Sequence, residues 1–400
     1  MRAPIWISLL VLGSSLSGCQ NAPANPNGSM PPVPAAATDF SGDAAFEHLR
    51  ALSALGPRVA GTPEAAQTRA YLRSELEKLG LSVEERRYAG PPGPDGAPQE
   101  LVNLVAVIPG ASPQLFVLTA AYDTRAFDSF RFEGANDGAS APALLLELAR
   151  VIQARPLPYT TWIVFLDREA PRAGDPTGEP LLAGSSVLAT GLLANGSAAS
   201  VRLVVSFQQV GDSDLRIARD LRSHRLYREE FWLAAARLGR SEAFRPGDHF
   251  ESSPGSQLSF LSAGIRGVVL ITDPSYGGDE PPGTYANSED DTPERCSPKS
   301  LATVGMVTLE ALERIGERLA KIDRYAKKTA EPAEPVPVPA PSQAPVKTEP
   351  SVTAPAETPS AGTPPAETLP APALEAPAFS NPAPGTPPEG SEPAPPPPAP

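Results

Sequence analysis

The sequence predicts an α/β protein, a three-layer α/β/α sandwich with a central mixed, mostly parallel sheet. Apolar runs of strand length alternate along the chain with segments of helical periodicity, which is the pattern of such sandwiches. One run, residues 115–120, is apolar throughout, as expected for a strand covered on both faces. The region between residues 39 and 325 is long enough to form one large domain with a single core.

The predicted helices follow from apolar spacing and from their end signals. Apolar residues recur at helical spacing over residues 43–55. Thr62 as N-cap and Pro63 in the first turn begin a second helix, which Gly80 ends. Ser140 is expected to cap a third helix. Further helices are predicted at residues 227–238 and 298–322.

The predicted strands place polar residues at one edge of the sheet. The strands are expected at residues 81–88, 101–108, 115–120, 161–166, 201–207 and 267–272. Asp123, Glu169 and Gln208 each follow or end one of them. Because ligands of such sheets bind beyond the carboxyl ends of the strands, these loops and the loop with Asp137 are expected to converge on one rim.

Both ends of the chain predict segments outside this domain. Residues 1–18 have the charged start and short apolar run of a signal peptide, and Leu16-Ser17-Gly18-Cys19 resembles a bacterial lipobox in which Cys19 is lipidated. Residues 19–38 are expected to be a flexible tether. Residues 326–400 hold nearly half of the 51 prolines and few large aliphatic or aromatic residues, which predicts a disordered Pro/Ala/Glu-rich tail.

Charge and cysteine content limit the partners. The net charge of −13 is spread along the chain and argues against nucleic acid and against electrostatic membrane binding. The expected location is the bacterial cell envelope, lipid-anchored at the outer membrane and facing the periplasm or the exterior, with a peptide or envelope protein as partner. Cys296, the only other cysteine, leaves no internal disulfide once Cys19 is acylated.

Seven sequence boxes resemble those of a known family. In chain order they are Leu55-Gly56-Pro57-Arg58, Ala120-Ala121-Tyr122-Asp123-Thr124, Gly134-Ala135-Asn136-Asp137, Phe165-Leu166-Asp167-Arg168-Glu169-Ala170, Gly184-Ser185, Gln208-Gln209-Val210-Gly211-Asp212 and Pro293-Glu294-Arg295-Cys296-Ser297-Pro298. Together they resemble the zinc aminopeptidase and glutaminyl cyclase family over nearly the whole domain. The resemblance implies a zinc-exopeptidase-like fold, and zinc-dependent glutaminyl cyclization or peptide hydrolysis.

The same resemblance implies a degenerate metal site. Asp137 matches a bridging metal ligand, Glu169 the general acid/base and Asp123 the carboxylate that orients the site. The remaining ligand positions are occupied by Ala121, Ala170, Gln208 and Ala286. Zinc sites need three or four protein donors. We therefore expect no cofactor, with zinc as the cofactor if the family's activity survives.

Arg168 and the histidines complete the candidate residues. Arg168 stands where the family has glycine, and we hypothesise that its guanidinium fills the emptied pocket and pairs with Asp137 or Glu169. The simpler interpretation is a solvated arginine at the end of a strand. The three histidines, His48, His224 and His249, lie outside the matched ligand positions and are expected at the surface or in caps.

One histidine has a second interpretation. The family has an Asp-Asp-His box where this chain has Ser256-Gln257. His249 could be that box, displaced by an insertion.

These observations leave three functions open. The first is a lipid-anchored pseudoenzyme that binds a peptide or protein. The second is an active zinc-dependent glutaminyl-peptide cyclotransferase or aminopeptidase with atypical ligands. The third is a structural spacer lipoprotein that acts through its Pro-rich tail.

Overall fold

The computed structural model describes residue 37 and residues 39–90, 92, 98–171, 182–252 and 255–330. The expected signal peptide with Cys19, nearly all of the expected tether and the tail from residue 331 lie outside the described residues. Those assignments remain predictions.

A mixed six-stranded sheet forms the centre of the domain. The strands among the described residues are β1 (Val83–Gly90), β2 (Gln99–Ile108), β3 (Ser112–Ala121), β4 (Tyr159–Leu166), β5 (Val201–Gln208), β6 (Ile217–Asp220), β7 (Phe244–Phe250) and β8 (Val268–Thr272). The order in the large sheet is β1-β2-β4-β3-β5-β8, and β6 and β7 form a separate parallel pair. β4, β3, β5 and β8 run parallel, whereas β1 and β2 are antiparallel to their neighbours.

Helices cover both faces of this sheet. They are α1 (Gly42–Ala54), α2 (Pro63–Lys78), α3 (Ala141–Ala154), α4 (Ala183–Ala194), α5 (Arg225–Arg237), α6 (Ser256–Ser262) and α7 (Pro298–Ala330). Along β3, Phe116 and Leu118 belong to the large core that includes residues of α1, α2, α3, α5 and α7. The alternate residues Leu115 and Val117 belong to a smaller core with α4 and α6. This two-residue alternation confirms the predicted three-layer sandwich.

Of two predicted N-caps, Thr62 was correct and Ser140 was wrong. The Thr62 side chain accepts a hydrogen bond from the backbone nitrogen of Ala65 and Pro63 begins α2, as predicted. Ser140 does not cap α3 with its side chain, because its own φ and ψ are already helical and its side chain makes no capping hydrogen bond. Its hydroxyl donates instead to the carbonyl oxygen of Asn136 and accepts from the backbone nitrogen of Val210.

Four elements were not predicted: α4, α6, β6 and β7. α4 consists of small and apolar residues with little separation into faces, β6 has four residues, and β7 contains Pro246 and Gly247. Such short or irregular segments take their conformation from the core that they cover. In the described part of the chain, no helix is long and apolar enough to cross a membrane.

Candidate functional site

The carboxyl ends of the four parallel strands form the predicted rim. Ala121 ends β3 opposite Leu166, which ends β4, and Gln208 ends β5 opposite Thr272 of β8. The polar residues that follow these strands therefore lie at one edge of the sheet. Because these four strands run parallel, their carboxyl ends lie at the same edge of the sheet, as expected for this architecture.

Asp123 joins the loops that follow β3 and β4. Its buried carboxylate accepts hydrogen bonds from the backbone nitrogens of Glu169, at 3.0 Å, and Ala170, at 2.9 Å. Burial, with a smaller contribution from the charge of Asp167, raises the pKa of Asp123 to about 7. Both of its oxygens thus bind backbone donors, and the side chain fixes the position of the segment that carries Glu169.

Glu169 is buried as well and faces the start of α4. Oε1 accepts from the backbone nitrogen of Ser185 at 2.7 Å, and Oε2 accepts from the Ser185 hydroxyl at 2.9 Å. Burial raises the pKa of Glu169 to about 8, against the opposing effect of the Ser185 hydrogen bonds. The predicted acid/base residue is therefore located at the rim, with both oxygens in contact with one serine.

Asp137 lies in the turn before α3. Its side chain is half-buried, and burial raises its pKa while the charges of Arg58 and Arg125 lower it. Its loop is tied to the loop after β5, because Asn136 Oδ1 accepts from the backbone nitrogen of Gly211 at 2.7 Å. It is also packed against Asp123: a Cβ on Gly138 would lie 2.7 Å from the Asp123 carbonyl oxygen.

Asp291 supports the Asp137 loop and was missed by the sequence analysis. Its fully buried carboxylate accepts from the backbone nitrogens of Asn136, at 2.7 Å, and Asp137, at 3.1 Å, and from the Tyr276 hydroxyl. Burial and the charge of Asp137 raise the pKa of Asp291 to about 7. Its position five residues after Ala286, in the last part of the resemblance, was the one feature of the sequence that could have indicated it as a site residue.

Arg58 is the cation beneath this loop, and its role was also missed. The side chain is 0% exposed, and its guanidinium donates to five backbone carbonyl oxygens. These belong to Leu52, Gly56, Tyr122, Glu133 and Gly134. Desolvation lowers the pKa of Arg58 to about 10, so that the side chain keeps its charge at neutral pH. Arg58 belongs to one of the sequence boxes that resemble the family, but that resemblance did not predict its contacts with the carbonyl oxygens.

Arg168 is buried, not solvated as the simpler interpretation had it. It has a left-handed backbone, with φ of 58°, and its Nη1 donates to the carbonyl oxygen of Ala170 at 2.9 Å. Its charge lowers the pKa of Asp123. Among the ion pairs between described residues, none joins Arg168 to Asp137 or Glu169, so the hypothesised pairing is not observed.

The remaining candidate ligand positions carry no strong metal donor. Ala121, Ala170 and Ala286 are half-buried residues whose methyl groups cannot bind a metal. Gln208 is half-buried, and its Nε2 faces Gly255, where a Cβ would lie 3.1 Å away. In the part of the chain that the structure describes, no three His, Cys, Asp or Glu side chains are grouped to hold a metal ion. These residues do not fit a zinc site, which needs three or four donors.

The histidines take no part in the rim. His249 lies exposed on β7, where Nδ1 contacts the Gly247 carbonyl oxygen at 2.8 Å, and its interpretation as a displaced Asp-Asp-His box remains a prediction. Gln257 instead is buried at the start of α6, and its Nε2 donates to the Ser252 hydroxyl. His224 is the N-cap of α5, and His48 contacts the Tyr71 hydroxyl.

Solved structures share this fold. A glutaminyl cyclase from an Acidobacteriales bacterium is 28% identical, with a TM-score of 0.64, over 75% of this chain and 99% of that chain. The Porphyromonas gingivalis glutaminyl cyclase is 21% identical, with a TM-score of 0.61, over 69% and 98%. A Zn-dependent exopeptidase from Parabacteroides distasonis is 22% identical, also with a TM-score of 0.61, over 69% and 98%. These likenesses confirm the zinc-exopeptidase-like fold.

Sequence comparisons agree with the fold. The bovine glutaminyl-peptide cyclotransferase-like protein is 33% identical in an alignment of 126 positions that covers 28% of this chain and 32% of that protein. The match thus spans about a third of the length of this curated relative. The sequence model of peptidase family M28 matches residues 103–312, more than half of the chain. The chain therefore belongs to peptidase family M28.

Proposed function

We propose that this chain is a lipid-anchored envelope protein whose M28 domain has lost zinc-dependent catalysis and binds a peptide or protein. The observation that carries the proposal is the donor set at the rim. Ala121, Ala170, Gln208 and Ala286 stand at four of the five ligand positions, and only Asp137 retains a carboxylate. Each lost donor removes a large part of the binding free energy of a metal.

The hydrogen bonds of the retained carboxylates support the same proposal. Asp123 accepts from two backbone nitrogens and Glu169 from the nitrogen and hydroxyl of Ser185. Both side chains therefore have a structural role that accounts for their presence without catalysis. Buried carboxylates that satisfy backbone donors are costly to replace, because the donors would be left without partners.

The alternative is an active zinc-dependent glutaminyl-peptide cyclotransferase or aminopeptidase with atypical ligands. One observation favours it. Burial raises the pKa of Glu169 to about 8, which is the range in which a carboxylate serves as a general acid or base near neutral pH. A single tuned carboxylate does not replace the missing zinc donors, so we give this alternative second place.

Metal content and turnover distinguish these two functions. The full chain is purified after expression with added zinc, its zinc content is measured, and peptides with amino-terminal glutamine and aminoacyl chromogenic substrates are offered. We expect substoichiometric zinc and no turnover above buffer. Stoichiometric zinc together with turnover that a chelator abolishes would establish the alternative.

A variant with restored ligands is the matched control. It combines the four substitutions Ala121→His, Ala170→Glu, Gln208→Asp and Ala286→His. Because the scaffold of the rim is retained, this variant is expected to bind more zinc than the native chain. The comparison shows that the zinc measurement detects a site of this geometry.

The lipid anchor has its own test. Cys19→Ser is expected to prevent labelling with a radioactive fatty acid and to move the protein from the membrane fraction to the soluble fraction. Cys296→Ser is the control, because Cys296 is buried in the domain and is not expected to carry lipid. A chain that stays lipid-labelled after the Cys19→Ser change would contradict the proposal.

A further inference from the structure

Asp137 differs from the other carboxylates of the rim in what its oxygens contact. Asp123, Glu169 and Asp291 each accept at least two hydrogen bonds. Between described residues, no hydrogen bond and no ion pair within 4 Å involves the Asp137 carboxylate, while its backbone nitrogen donates to Asp291. Because the side chain is only half-buried, we treat this carboxylate as an open acceptor.

Arg125 supplies an open cation next to it. The Thr124 side chain packs against the Asp137 loop, since a Cβ on Gly134 or Gly138 would lie 2.8 or 2.9 Å from Thr124 Cγ2. This packing places Arg125 near Asp137, whose pKa its charge lowers. Arg125 is half-buried and makes no ion pair with another described residue; its guanidinium lies 5.4 Å from the centre of the Phe127 ring.

An aromatic surface lies beside Arg125. Phe127 and Phe130 stack with ring centres 4.6 Å apart, and both contact the buried Phe132 edge-on, at 5.1 and 6.4 Å. Phe127 and Phe130 are half-buried, so each keeps part of its ring accessible. Phe132, which is 0% exposed, anchors the pair in the domain.

We propose that Asp137, Arg125 and the Phe127–Phe130 pair bind a zwitterionic aromatic α-amino acid. The ammonium group binds Asp137, the carboxylate binds Arg125, and the aromatic side chain packs on the two rings. One open anion and one open cation match a ligand that carries one charge of each sign. The proposal rests on the loss of zinc in the proposed function, because a zinc ion on Asp137 would occupy the acceptor, and it names a free amino acid in place of a peptide as the ligand of these residues.

The charges favour a free amino acid over the amino terminus of a peptide. Both present an α-ammonium group, but the peptide has a neutral carbonyl where the amino acid has a carboxylate. A neutral group would leave the Arg125 charge desolvated without an opposite charge, which is unfavourable. A free amino acid would therefore place a carboxylate against Arg125, whereas the amino terminus of a peptide would place a neutral carbonyl there.

Calorimetric titration of the full chain with four related ligands tests these contacts. The ligands are phenylalanine, phenethylamine without the carboxylate, 3-phenylpropionate without the ammonium, and phenylalanine amide. We expect phenylalanine to bind at least about tenfold more tightly than each analogue, as for loss of a charged hydrogen bond. Equal affinity for 3-phenylpropionate would overturn the assignment of Asp137. Equal affinity for phenylalanine amide would overturn the assignment of Arg125 in favour of a peptide amino terminus.

Two variants test whether Asp137 binds the ammonium group and whether Arg125 binds the carboxylate. Asp137→Asn is expected to remove the preference for phenylalanine over 3-phenylpropionate, and Arg125→Gln the preference over phenethylamine. Asp128→Asn and Arg131→Gln, exposed residues of the same loop, are the matched controls and are expected to leave both preferences unchanged. A preference that survives in its own variant would overturn that contact.

Titrations with and without zinc separate this inference from the proposed function. A chain that holds no zinc, turns over no substrate and binds no phenylalanine would refute the amino-acid site and leave the proposed function standing. A chain with stoichiometric zinc and turnover would refute the proposed function. Phenylalanine binding by the zinc-free chain, with the expected variant effects, would establish the site.

Discussion

The carboxylate of Glu169 accepts two hydrogen bonds from Ser185, one from its backbone nitrogen at 2.7 Å and one from its hydroxyl at 2.9 Å. Ser185 lies in the first turn of α4, whose N-cap residue, Leu182, has a left-handed backbone and offers no side-chain acceptor. Glu169 therefore caps α4 from a different segment of the chain. A carboxylate at this position has a structural function whether or not the domain catalyses a reaction.

The stability of the domain is expected to fall as the pH rises from 5 to 9. Burial raises the pKa of Glu169 to about 8 and that of Asp123 to about 7, whereas an unfolded chain releases these protons near pH 4. The folded state therefore binds more protons than the unfolded chain between these pKa values. The stabilisation that comes from the two protonated carboxyl groups is full below pH 4, and it is lost as the pH rises through the folded-state pKa values of about 7 and 8. Urea unfolding at a series of pH values measures the free energy of unfolding.

Glu169→Gln tests the source of this pH dependence. The glutamine does not titrate, so the decrease between pH 7 and pH 9 is expected to become shallower. Glu77→Gln, on the exposed side of α2, is the control and is expected to keep the native slope. An unchanged slope in the Glu169 variant would show that the pH dependence arises elsewhere.

Arg58→Lys is expected to cost about 3–5 kcal/mol of the free energy of unfolding. The lysine keeps the charge, but its ammonium group cannot reach all five carbonyl oxygens that the guanidinium contacts, and each buried acceptor without a donor costs about 1–3 kcal/mol. Arg50→Lys on exposed α1 surface should change stability by less than about 0.5 kcal/mol. Similar losses in both variants would refute the structural role of Arg58.

Asp291→Asn is expected to loosen the Asp137 loop. The carboxylate accepts from two successive backbone nitrogens, and an amide side chain has only one oxygen to offer. Hydrogen exchange at the amides of Asn136 and Asp137 should therefore become faster, while exchange in α7 stays unchanged. Asp290→Asn, which alters an exposed neighbour, is expected to leave these amides as protected as in the native chain.

Gly138→Ala is expected to destabilise the domain more than Gly239→Ala. Both glycines have a positive φ, of 92° and 67°, which costs an alanine about 1–2 kcal/mol. A Cβ on Gly138 would also lie 2.7 Å from the Asp123 carbonyl oxygen, whereas nothing lies within 4 Å of a Cβ on Gly239. The difference between the two variants in urea unfolding measures the close packing between the Asp123 and Asp137 loops. Equal losses would show that these loops separate readily.

Much of the fold followed from sequence, because the determining signals are local or periodic. The apolar run over β3 predicted a strand covered on both faces, and the structure has adjacent residues of that strand in two separate cores. Thr62 and Pro63 predicted the start of α2 through the geometry of the first helical turn. The prediction that Ser140 caps α3 was wrong. Its hydroxyl accepts a hydrogen bond from the backbone nitrogen of Val210, which is distant in the sequence, so a local pattern could not indicate this partner.

The sequence by itself determined the architecture, the rim and the loss of donors at four ligand positions. A residue type settles whether a side chain can bind a metal at all, and an alanine cannot. Only the tertiary structure decided what the retained groups do: Glu169 caps α4, Asp291 holds the Asp137 loop, and Arg58 binds the carbonyl oxygens beneath it. Those contacts join segments that are up to 155 residues apart in the chain. They depend on the packing of the folded core and not on any local pattern of residues.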